Sequence, residues 1–232
     1  MSIAENIARV RKQIAEACRR AGRSEGEVAL MAVSKMHPAE AILEAYAAGQ
    51  RLFGENRVQE FQEKSAALGG LRNAKFHLIG PLQSNKTNKA AELFDAIDAV
   101  DSLKIAQRLD SAAAALGKKL PVLIEVKLSH EESKHGIAPS ELMGLLETMA
   151  GLKAVEAVGL MTVPPWSEDA EVARPYFKEL RRLRNEAVVR FAGVTQLSMG
   201  MSNDFAVAIE EGSNCVRVGT SIFGKRVYSA AT

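Results

Sequence analysis

The chain has 232 residues, 47% of them hydrophobic, and this length and composition fit one α/β barrel. Its 30 basic and 28 acidic residues leave a net charge of +2 without a charged block, so charge gives no case for nucleic-acid or membrane-surface binding. No apolar run approaches the ~18 residues of a membrane span, and the charged N-terminus lacks the apolar core of a signal peptide. Cys18 and Cys215 belong to no CxxC or Cys/His cluster, so we expect two buried, reduced thiols in a cytoplasmic protein.

The first predicted element is a helix that precedes the first strand. Ser2 and Glu5 form a capping box, apolar residues then recur at helical spacing, and Gly22 ends the run. Strands and helices alternate about eight times after it. The predicted strands cover residues 28–34, 51–54, 75–79, 96–100, 122–128, 155–163, 194–199 and 215–218. The predicted helices cover residues 39–48, 58–68, 86–94, 103–116, 140–149, 176–189 and 204–211, with Pro38 suited to the N1 position of the first.

The predicted strands are mostly apolar on both faces, as expected when strands lie between a barrel interior and an outer layer of helices. No linker, low-complexity tract or short repeat interrupts the alternation. The pattern therefore predicts a single-domain (β/α)8 TIM barrel over residues 1–232, with an extra N-terminal helix, rather than an open doubly wound sheet.

In this fold the chemistry gathers where the strands end. Lys35 closes the first, otherwise apolar strand, which would place its amine at the barrel mouth. A lysine in this position either extends its charged end into water or forms an imine with a carbonyl compound. Residue types after the seventh and eighth strands favour a phosphate, because Gly200 and Gly219 allow close approach of backbone N–H groups and Ser198 and Thr220 supply hydroxyls.

Arg217 lies inside the eighth strand, two residues from Cys215, and strand periodicity puts both on one face. If Val216 and Val218 pack on the helices, Arg217 points into the barrel. A buried guanidinium needs a partner, so we expect either an inward carboxylate or a ligand.

Further polar residues follow the second and third strands, in FGENRVQE and FHLIGPLQSNK. These segments place donors or acceptors close to the predicted mouth, namely Asn56, Arg57, His77, Gln83, Asn85 and Lys86. His77 could equally be a hydrogen-bonded core histidine. The four histidines (37, 77, 130 and 135) lack metal-ligand spacing, so we expect no metal.

The motifs AVSKMHP, FGENRVQE, HLIGPLQSNK, SKHGIAP, GLMTV and LSMGMSNDFAVAIEEGSNCVRVGTSIFGKR occur in this order along nearly the whole chain. Together they resemble the pyridoxal phosphate homeostasis proteins, which are single-domain relatives of the alanine racemase N-terminal barrel. The resemblance implies a protein that binds pyridoxal 5'-phosphate (PLP) as an imine to Lys35 and takes part in cofactor supply, without well-established turnover.

Carried over residue by residue, the resemblance also implies a cofactor site. Ser198, Gly219 and Thr220 would hold the phosphate, and Arg217 would face the pyridine nitrogen. Asn56 and Met199 would line the cofactor, with His77 and residues 83–86 nearby.

Two features argue against efficient catalysis. PLP enzymes that need a strong electron sink place a carboxylate at the pyridine nitrogen, whereas Arg217 is a permanent cation that only donates. The second acid/base of alanine racemases comes from a separate C-terminal domain, and only eight residues follow Gly224 here, so we expect that domain to be absent. Tyr228, in this tail, stays open as a candidate second base.

Three alternatives stay open at this point. The chain could be a low-activity PLP enzyme such as an amino-acid racemase, or a PLP-free Schiff-base aldolase, although an aldolase has no pyridine ring for Arg217 to meet. Lys134 in SKHGIAP is a rival attachment point or second PLP site. We expect a monomer, because no long apolar surface stripe is left over, with apo-PLP enzymes as candidate recipients of the cofactor.

Overall fold

The computed structural model describes residues 1–129, 131 and 135–224. Eight parallel strands form a closed barrel in which each strand pairs with its neighbours in chain order and the last pairs with the first. The strands are β1 (Ala29–Val33), β2 (Leu52–Glu55), β3 (Lys75–Leu78), β4 (Ala96–Val100), β5 (Leu120–Glu125), β6 (Val155–Met161), β7 (Gln196–Ser198) and β8 (Cys215–Val218). The predicted (β/α)8 barrel is thereby confirmed.

Helices separate the strands and surround the barrel. The α-helices are α1 (Ile3–Arg20), α2 (Ala39–Ala47), α3 (Val58–Leu68), α4 (Thr87–Leu93), α5 (Leu103–Ala115), α6 (Leu142–Met149), α7 (Arg174–Arg190), α8 (Phe205–Glu210) and α9 (Thr220–Phe223). Short 3-10 turns cover Glu25–Glu27, Ser84–Lys86, Pro139–Glu141 and Ala170–Ala173. In the part of the chain that the structure describes, no helix is both long and apolar enough to cross a membrane.

Helix α1 is the predicted extra helix. Its capping box is formed, with the Ser2 hydroxyl accepting from the Glu5 N–H and the Glu5 carboxylate accepting from the Ser2 N–H. Its apolar face, which includes Ile7, Val10 and Ile14, is buried, and the helix packs against α2, α8 and α9. Helix α1 therefore packs the N-terminal end of the described chain against its C-terminal helices.

Most predicted boundaries lie within two residues of the observed ones, but the position of Pro38 and the end of the fifth strand need correction. Pro38 occupies the N-cap and not the N1 position, because its extended backbone (ψ 167°) precedes the first helical residue, Ala39. Strand β5 ends at Glu125 rather than at residue 128. Beyond Glu125 the chain pairs with the loop that returns to it, since the Lys127 N–H donates to the Ile137 carbonyl and the Ile137 N–H donates to the Glu125 carbonyl.

The core lies between the strands and the helices. Four aromatic rings join β2 and β3 to α3 and to the residue that follows α4, with ring centroids 4.7–5.3 Å apart among Phe53, Phe61, Phe76 and Phe94. Each such ring pair contributes about 0.5–1.5 kcal/mol beyond the area that it buries. This packing fixes the part of the barrel from which the second and third strand-end loops project.

Pairing between β1 and β8 closes the barrel and sets the site. Met31 is paired with Arg217 and Ala32 with Val218. Because the two strands are parallel, the residues that follow them leave the barrel at the same end. Lys35 and the Gly219-Thr220 pair are therefore neighbours at the mouth.

Candidate functional site

A cavity opens at the mouth of the barrel, with about 1000 Å³ of empty space including its open part. Five residues predicted from the sequence line it: Lys35, Asn56, Arg217, Gly219 and Thr220. They come from the ends of β1, β2 and β8, so the fold brings together residues that are up to 185 positions apart. The structure thus places these five predicted residues around one space.

Lys35 stands in a tight turn that follows β1. The preceding Ser34 is fully buried and its N–H donates to the Gly54 carbonyl, which continues the pairing with β2 for one more residue. The following Met36 has a φ of 63°, in the left-handed region that non-glycine residues seldom adopt. The turn directs Lys35 to the cavity instead of letting the chain continue along the barrel wall.

Arg217 points into the barrel, as strand periodicity predicted, and is only 4% exposed. Its Nη1 donates to the Ser198 carbonyl at 2.6 Å and to the Ser198 hydroxyl at 2.7 Å, and its Nη2 donates to the Thr162 carbonyl at 2.8 Å. Burial lowers the pKa of Arg217 from its high ordinary value, but arginine remains protonated in proteins.

The partners of Arg217 are uncharged. Within the described ranges, no carboxylate lies at ion-pair distance from its guanidinium. The side chain has five N–H donors, and the three bonds above leave the Nε donor and one Nη2 donor without a partner among the described residues. The alternative of a structural ion pair with an inward carboxylate is therefore wrong for these residues, and the guanidinium at the cavity wall keeps donors for a ligand.

The loops after β7 and β8 pass close to their neighbours at glycine residues. Gly219 lies beside β1, and a Cβ there would be 3.2 Å from the Val33 carbonyl oxygen. Gly200 has a φ of +96°, and a Cβ there would be 2.6 Å from the Ala208 Cβ. Both loops therefore pass close to their neighbours, and Gly219 exposes main chain at the cavity wall beside Thr220.

Ser198 and Met199 lie one layer behind the cavity lining. Both are fully buried. The Ser198 hydroxyl accepts from Arg217, and the Met199 carbonyl accepts from the Ser213 hydroxyl. Met201, two residues further along the same loop, lines the cavity instead. The sequence predicted the residue types of this loop. The course of the loop, however, makes Met201 and not Met199 the residue that lines the cavity.

His77 does not lie at the mouth, so its predicted place beside the cofactor is wrong. It lines a different cavity, at the opposite end of the barrel, together with Ala29, Asp98 and Cys215. The interior-facing residue two positions later, Ile79, is the one that reaches the mouth. His77 is therefore the hydrogen-bonded core histidine that the sequence left as an alternative.

The His77 ring forms a 3.0 Å hydrogen bond between Nδ1 and the Asp98 carboxylate. Burial opposes protonation of the ring, but the charge of Asp98 and this hydrogen bond outweigh burial and raise the pKa of His77. Cys215, at the same end of the barrel, has its pKa raised to about 12 by burial, and both cysteines are buried and unpaired. Among the described residues, no cluster of His, Cys, Asp and Glu could hold a metal ion.

Asn56 reaches the lining because β2 and β3 approach each other closely beyond their ends. A Cβ at Gly80 would be 2.3 Å from the Asn56 carbonyl oxygen. A neighbouring groove shares Asn56 and is lined also by Arg57, Gln83 and Lys86. Of the polar residues predicted after the second and third strands, Asn56 thus lines the mouth, Arg57, Gln83 and Lys86 line the groove beside it, and Asn85 lines neither.

The sequence reasoning missed several lining residues: His37, Glu125, His135, Val163 and Met201. Glu125 is the one charged residue of β5 and ends it, but the predicted strand ran on to residue 128 and included Lys127, which hid this position. It is buried, and its charge contributes to the electrostatic environment of Arg217. His130, Lys134 and Tyr228 lie outside the described residues.

Comparison with known proteins agrees with this architecture. The sequence model described as "Alanine racemase, N-terminal domain" matches residues 3–227. A pyridoxal phosphate homeostasis protein of Aquifex aeolicus is 43% identical over 98% of this chain and all of its own. One of Pseudomonas aeruginosa is 45% identical over 99% of this chain and 98% of its own.

A solved structure shows the same similarity in three dimensions. PipY of Synechococcus elongatus, solved with PLP bound, is 42% identical and superposes with a TM-score of 0.86, covering 96% of this chain and all of its own. Both the family model and the relatives extend over nearly the whole sequence. The chain therefore belongs to the alanine racemase N-terminal domain family and, within it, to the pyridoxal phosphate homeostasis proteins.

Proposed function

We propose that this chain binds PLP in the mouth cavity as an imine to Lys35, and that it serves PLP homeostasis by carrying or buffering the cofactor. The observation that carries the proposal is the shared cavity of Lys35, Arg217 and the Gly219-Thr220 pair. The names of the relatives and the PLP in the PipY structure support the same ligand.

The residues present fit the three chemical parts of PLP. A lysine amine condenses with an aldehyde, forming a C=N bond while the aldehyde oxygen leaves as water. The donors that remain on Arg217 suit a pyridine nitrogen, which accepts hydrogen bonds when it is neutral. Gly219 and Thr220 supply main chain and a hydroxyl for the phosphate. Ser198 and Met199 act one layer out, since Ser198 holds Arg217 and Met199 packs beneath the loop.

Arg217 favours holding the cofactor over using it. When bound, PLP supplies an electron sink whose strength depends on a protonated pyridine nitrogen. A guanidinium cannot accept a proton from that nitrogen or stabilise its positive charge, and no carboxylate in the described part of the chain is bonded to Arg217. The electron sink at this site is therefore weak, which fits a carrier.

We further propose that the chain forms one PLP-binding unit, works in the cytoplasm as a monomer, and delivers PLP to apo-PLP enzymes. Two buried, unpaired cysteines support a reducing compartment. The large exposed apolar side chains among the described residues, such as Trp166 and Val189, come from separate segments of the chain, which favours a monomer. Sedimentation of the PLP-loaded protein tests the oligomeric state.

The attachment is tested by absorbance of the purified protein with PLP, followed by borohydride reduction and peptide mapping. We expect an imine spectrum and a reduced adduct on Lys35. Lys35→Ala should lose both, whereas Lys89→Ala, on the outer helix α4, should retain them. Lys134→Ala tests the rival attachment point. An adduct that disappears in Lys134→Ala and persists in Lys35→Ala would overturn the assignment to Lys35.

The homeostasis role is tested by transfer. Loaded protein and an equal concentration of free PLP are each added to an apo-PLP enzyme, and reactivation is followed. Reactivation by the loaded protein that differs in rate from free PLP supports a carrier or buffer. Deuterium exchange at Cα of alanine in D2O separates the racemase alternative, since exchange well above that of free PLP would contradict a carrier.

A further inference from the structure

A group of three charged side chains, one buried and two partly buried, lies behind the turn that carries Lys35. We call this group, formed by Glu55, Glu60 and Lys64, the Lys64 network. The Lys64 ammonium donates to the Glu60 carboxylate at 2.6 Å and to the Glu55 carboxylate at 3.2 Å. Only 11% of the Lys64 side chain and none of the Glu55 side chain is exposed. None of the three lines the mouth cavity, so the network acts through the residues that it contacts.

The network holds both chain neighbours of Lys35. On one side, the Ser34 hydroxyl donates to the Glu55 carboxylate at 2.7 Å, and the Ser34 carbonyl accepts from Lys64 at 3.2 Å. On the other side, the Met36 N–H donates to the same Glu60 oxygen that accepts from Lys64. One ammonium thus connects the main chain before Lys35 with the main chain after it.

The backbone conformation of Met36 indicates that the surroundings constrain the turn. Its φ of 63° is uncommon for a non-glycine residue, and its side chain is half exposed, so apolar packing does not explain the conformation. Strained backbone of this kind persists where the surroundings over-determine it, and it concentrates at functional sites. Two described contacts constrain Met36, namely the bond of its own N–H to Glu60 and the turn bond in which the His37 N–H donates to the Ser34 carbonyl at 3.1 Å.

Removing the charges of the network from water costs free energy. A buried ion pair contributes little stability compared with apolar side chains of similar size, so its best-attested use is to specify one arrangement. Burial raises the pKa of Glu55, while Lys64 and the Ser34 hydroxyl oppose that rise. The arrangement specified here is the course of the main chain through residues 34–36.

We propose that the Lys64 network positions Lys35 for imine formation, with Glu55, Glu60 and Lys64 as positioning residues that do not touch the cofactor. The inference rests on the proposed PLP binding. It separates two parts of that binding, because the network sets how well the amine meets the aldehyde and leaves the ring and phosphate contacts of the mouth cavity unchanged.

The test compares two ligands. PLP carries the aldehyde, and pyridoxine 5'-phosphate carries an alcohol in its place and cannot form an imine. Lys64→Met removes the ammonium and keeps a side chain of similar length. We expect it to weaken PLP binding about tenfold, the scale on which outer-shell partners act at metal sites, while binding of pyridoxine 5'-phosphate stays within twofold. A general loss of structure would weaken both ligands together.

Amide exchange supplies a readout without any ligand. In Lys64→Met the Met36 N–H should exchange with solvent faster, while the amides of β4 keep their protection. Glu60→Ala provides a second variant that leaves Lys64 paired with Glu55 and so buries no unpaired charge. It should show the same selective loss. Lys89→Met is the matched control, since Lys89 forms a 2.8 Å pair with Glu92 on α4.

The outcomes separate the two proposals. A wild-type protein that fails to bind PLP would overturn the proposed function and, with it, this inference. A wild-type protein that binds PLP, with Lys64→Met and Glu60→Ala binding it equally well, would overturn the inference alone. Equal losses for PLP and for pyridoxine 5'-phosphate would also overturn it, because they would mean a structural role without positioning.

Discussion

Arg217 is attached to Ser198 by two hydrogen bonds from a single nitrogen, to the carbonyl oxygen at 2.6 Å and to the hydroxyl at 2.7 Å. A third bond, to Thr162, comes from the other terminal nitrogen. The guanidinium therefore joins the ends of β6, β7 and β8 across the barrel interior. This fixed fork is a property of arginine that lysine does not share.

Replacing Arg217 with Lys should lower the free energy of unfolding by about 1–3 kcal/mol, because one ammonium cannot serve Ser198 and Thr162 at once and leaves a buried acceptor unsatisfied. Denaturant unfolding of the PLP-free protein measures the difference. Ser198→Ala, which removes the hydroxyl acceptor and keeps the carbonyl acceptor, should lower the free energy of unfolding by about 1 kcal/mol. An Arg217→Lys variant with an unchanged unfolding midpoint would show that the three bonds contribute no net stability.

Sequence reasoning located the strand ends well because hydrophobic runs and glycines mark them locally. Lys35, Arg217 and Gly219 were placed at the mouth from this information alone, and the structure agrees for each. Strand periodicity also predicted which face of β8 points inward. These features depend on residues close to one another in sequence, where side-chain alternation is enough.

The depth of a residue inside the barrel could not be predicted in the same way. Cys215 and Arg217 both point inward, but the first lines the cavity at one end of the barrel and the second lines the mouth. In the same way, His77 in β3 lines the cavity at the end opposite the mouth, and Ile79, just after β3, lines the mouth. Which layer an inward residue joins depends on the register between strands, and register comes from long-range pairing. The same lack of long-range information hid the Lys64 network.

Gly80 gives a prediction about the close contact beside Asn56. A methyl group at Gly80 would lie 2.3 Å from the Asn56 carbonyl oxygen and 2.9 Å from its Cα, and neither main-chain atom can move without shifting the loop. Gly80→Ala should therefore lower the free energy of unfolding by about 1–3 kcal/mol and weaken PLP binding. Thermal unfolding and a PLP titration measure the two effects.

Gly144 is the matched control for that substitution. It lies inside α6, has no positive φ, and a methyl group there would meet no atom within 4 Å. Gly144→Ala should raise the free energy of unfolding by about 0.5–1 kcal/mol, since alanine is the better helix former, and leave PLP binding unchanged. If Gly80→Ala behaved like this control, the contact with Asn56 would not be a constraint.

His77 gives a prediction that separates the two ends of the barrel. His77→Gln keeps a donor for Asp98 and removes the titratable ring. PLP affinity should stay within twofold of the wild type, because His77 lies at the end of the barrel opposite the mouth. A large loss of PLP affinity in this variant would contradict the position of His77 and restore the original expectation of a cofactor contact.

The stability of the same variant should depend on pH. The folded pKa of His77 is raised above its ordinary value of about 6.5, since Asp98 outweighs the burial that opposes protonation. A raised pKa means that the protonated ring stabilises the fold below that ordinary value, and that this contribution disappears as pH rises through the folded pKa. The wild type should therefore exceed His77→Gln in unfolding free energy most at low pH, and the difference should shrink at high pH.

Asp110 should give a pH dependence of stability opposite in direction to that of His77. One oxygen of its carboxylate, on α5, accepts from three consecutive N–H groups at the start of β6, those of Lys153 (3.0 Å), Ala154 (2.6 Å) and Val155 (3.0 Å). Burial opposes ionisation, but these three donors outweigh it and lower the pKa of Asp110. The carboxylate thus fastens α5 to the sheet through charge-assisted bonds.

Asp110→Asn should lower the free energy of unfolding by about 1–2 kcal/mol at neutral pH, because an amide oxygen accepts these bonds more weakly than a carboxylate does. A lowered pKa means that the stabilisation is complete above the ordinary aspartate value of about 3.9 and is lost as pH falls through the folded pKa. Unfolding curves of wild type and variant should therefore differ at neutral pH and converge in acid. A constant difference across the acid range would mean that Asp110 acts through packing and not through its charge.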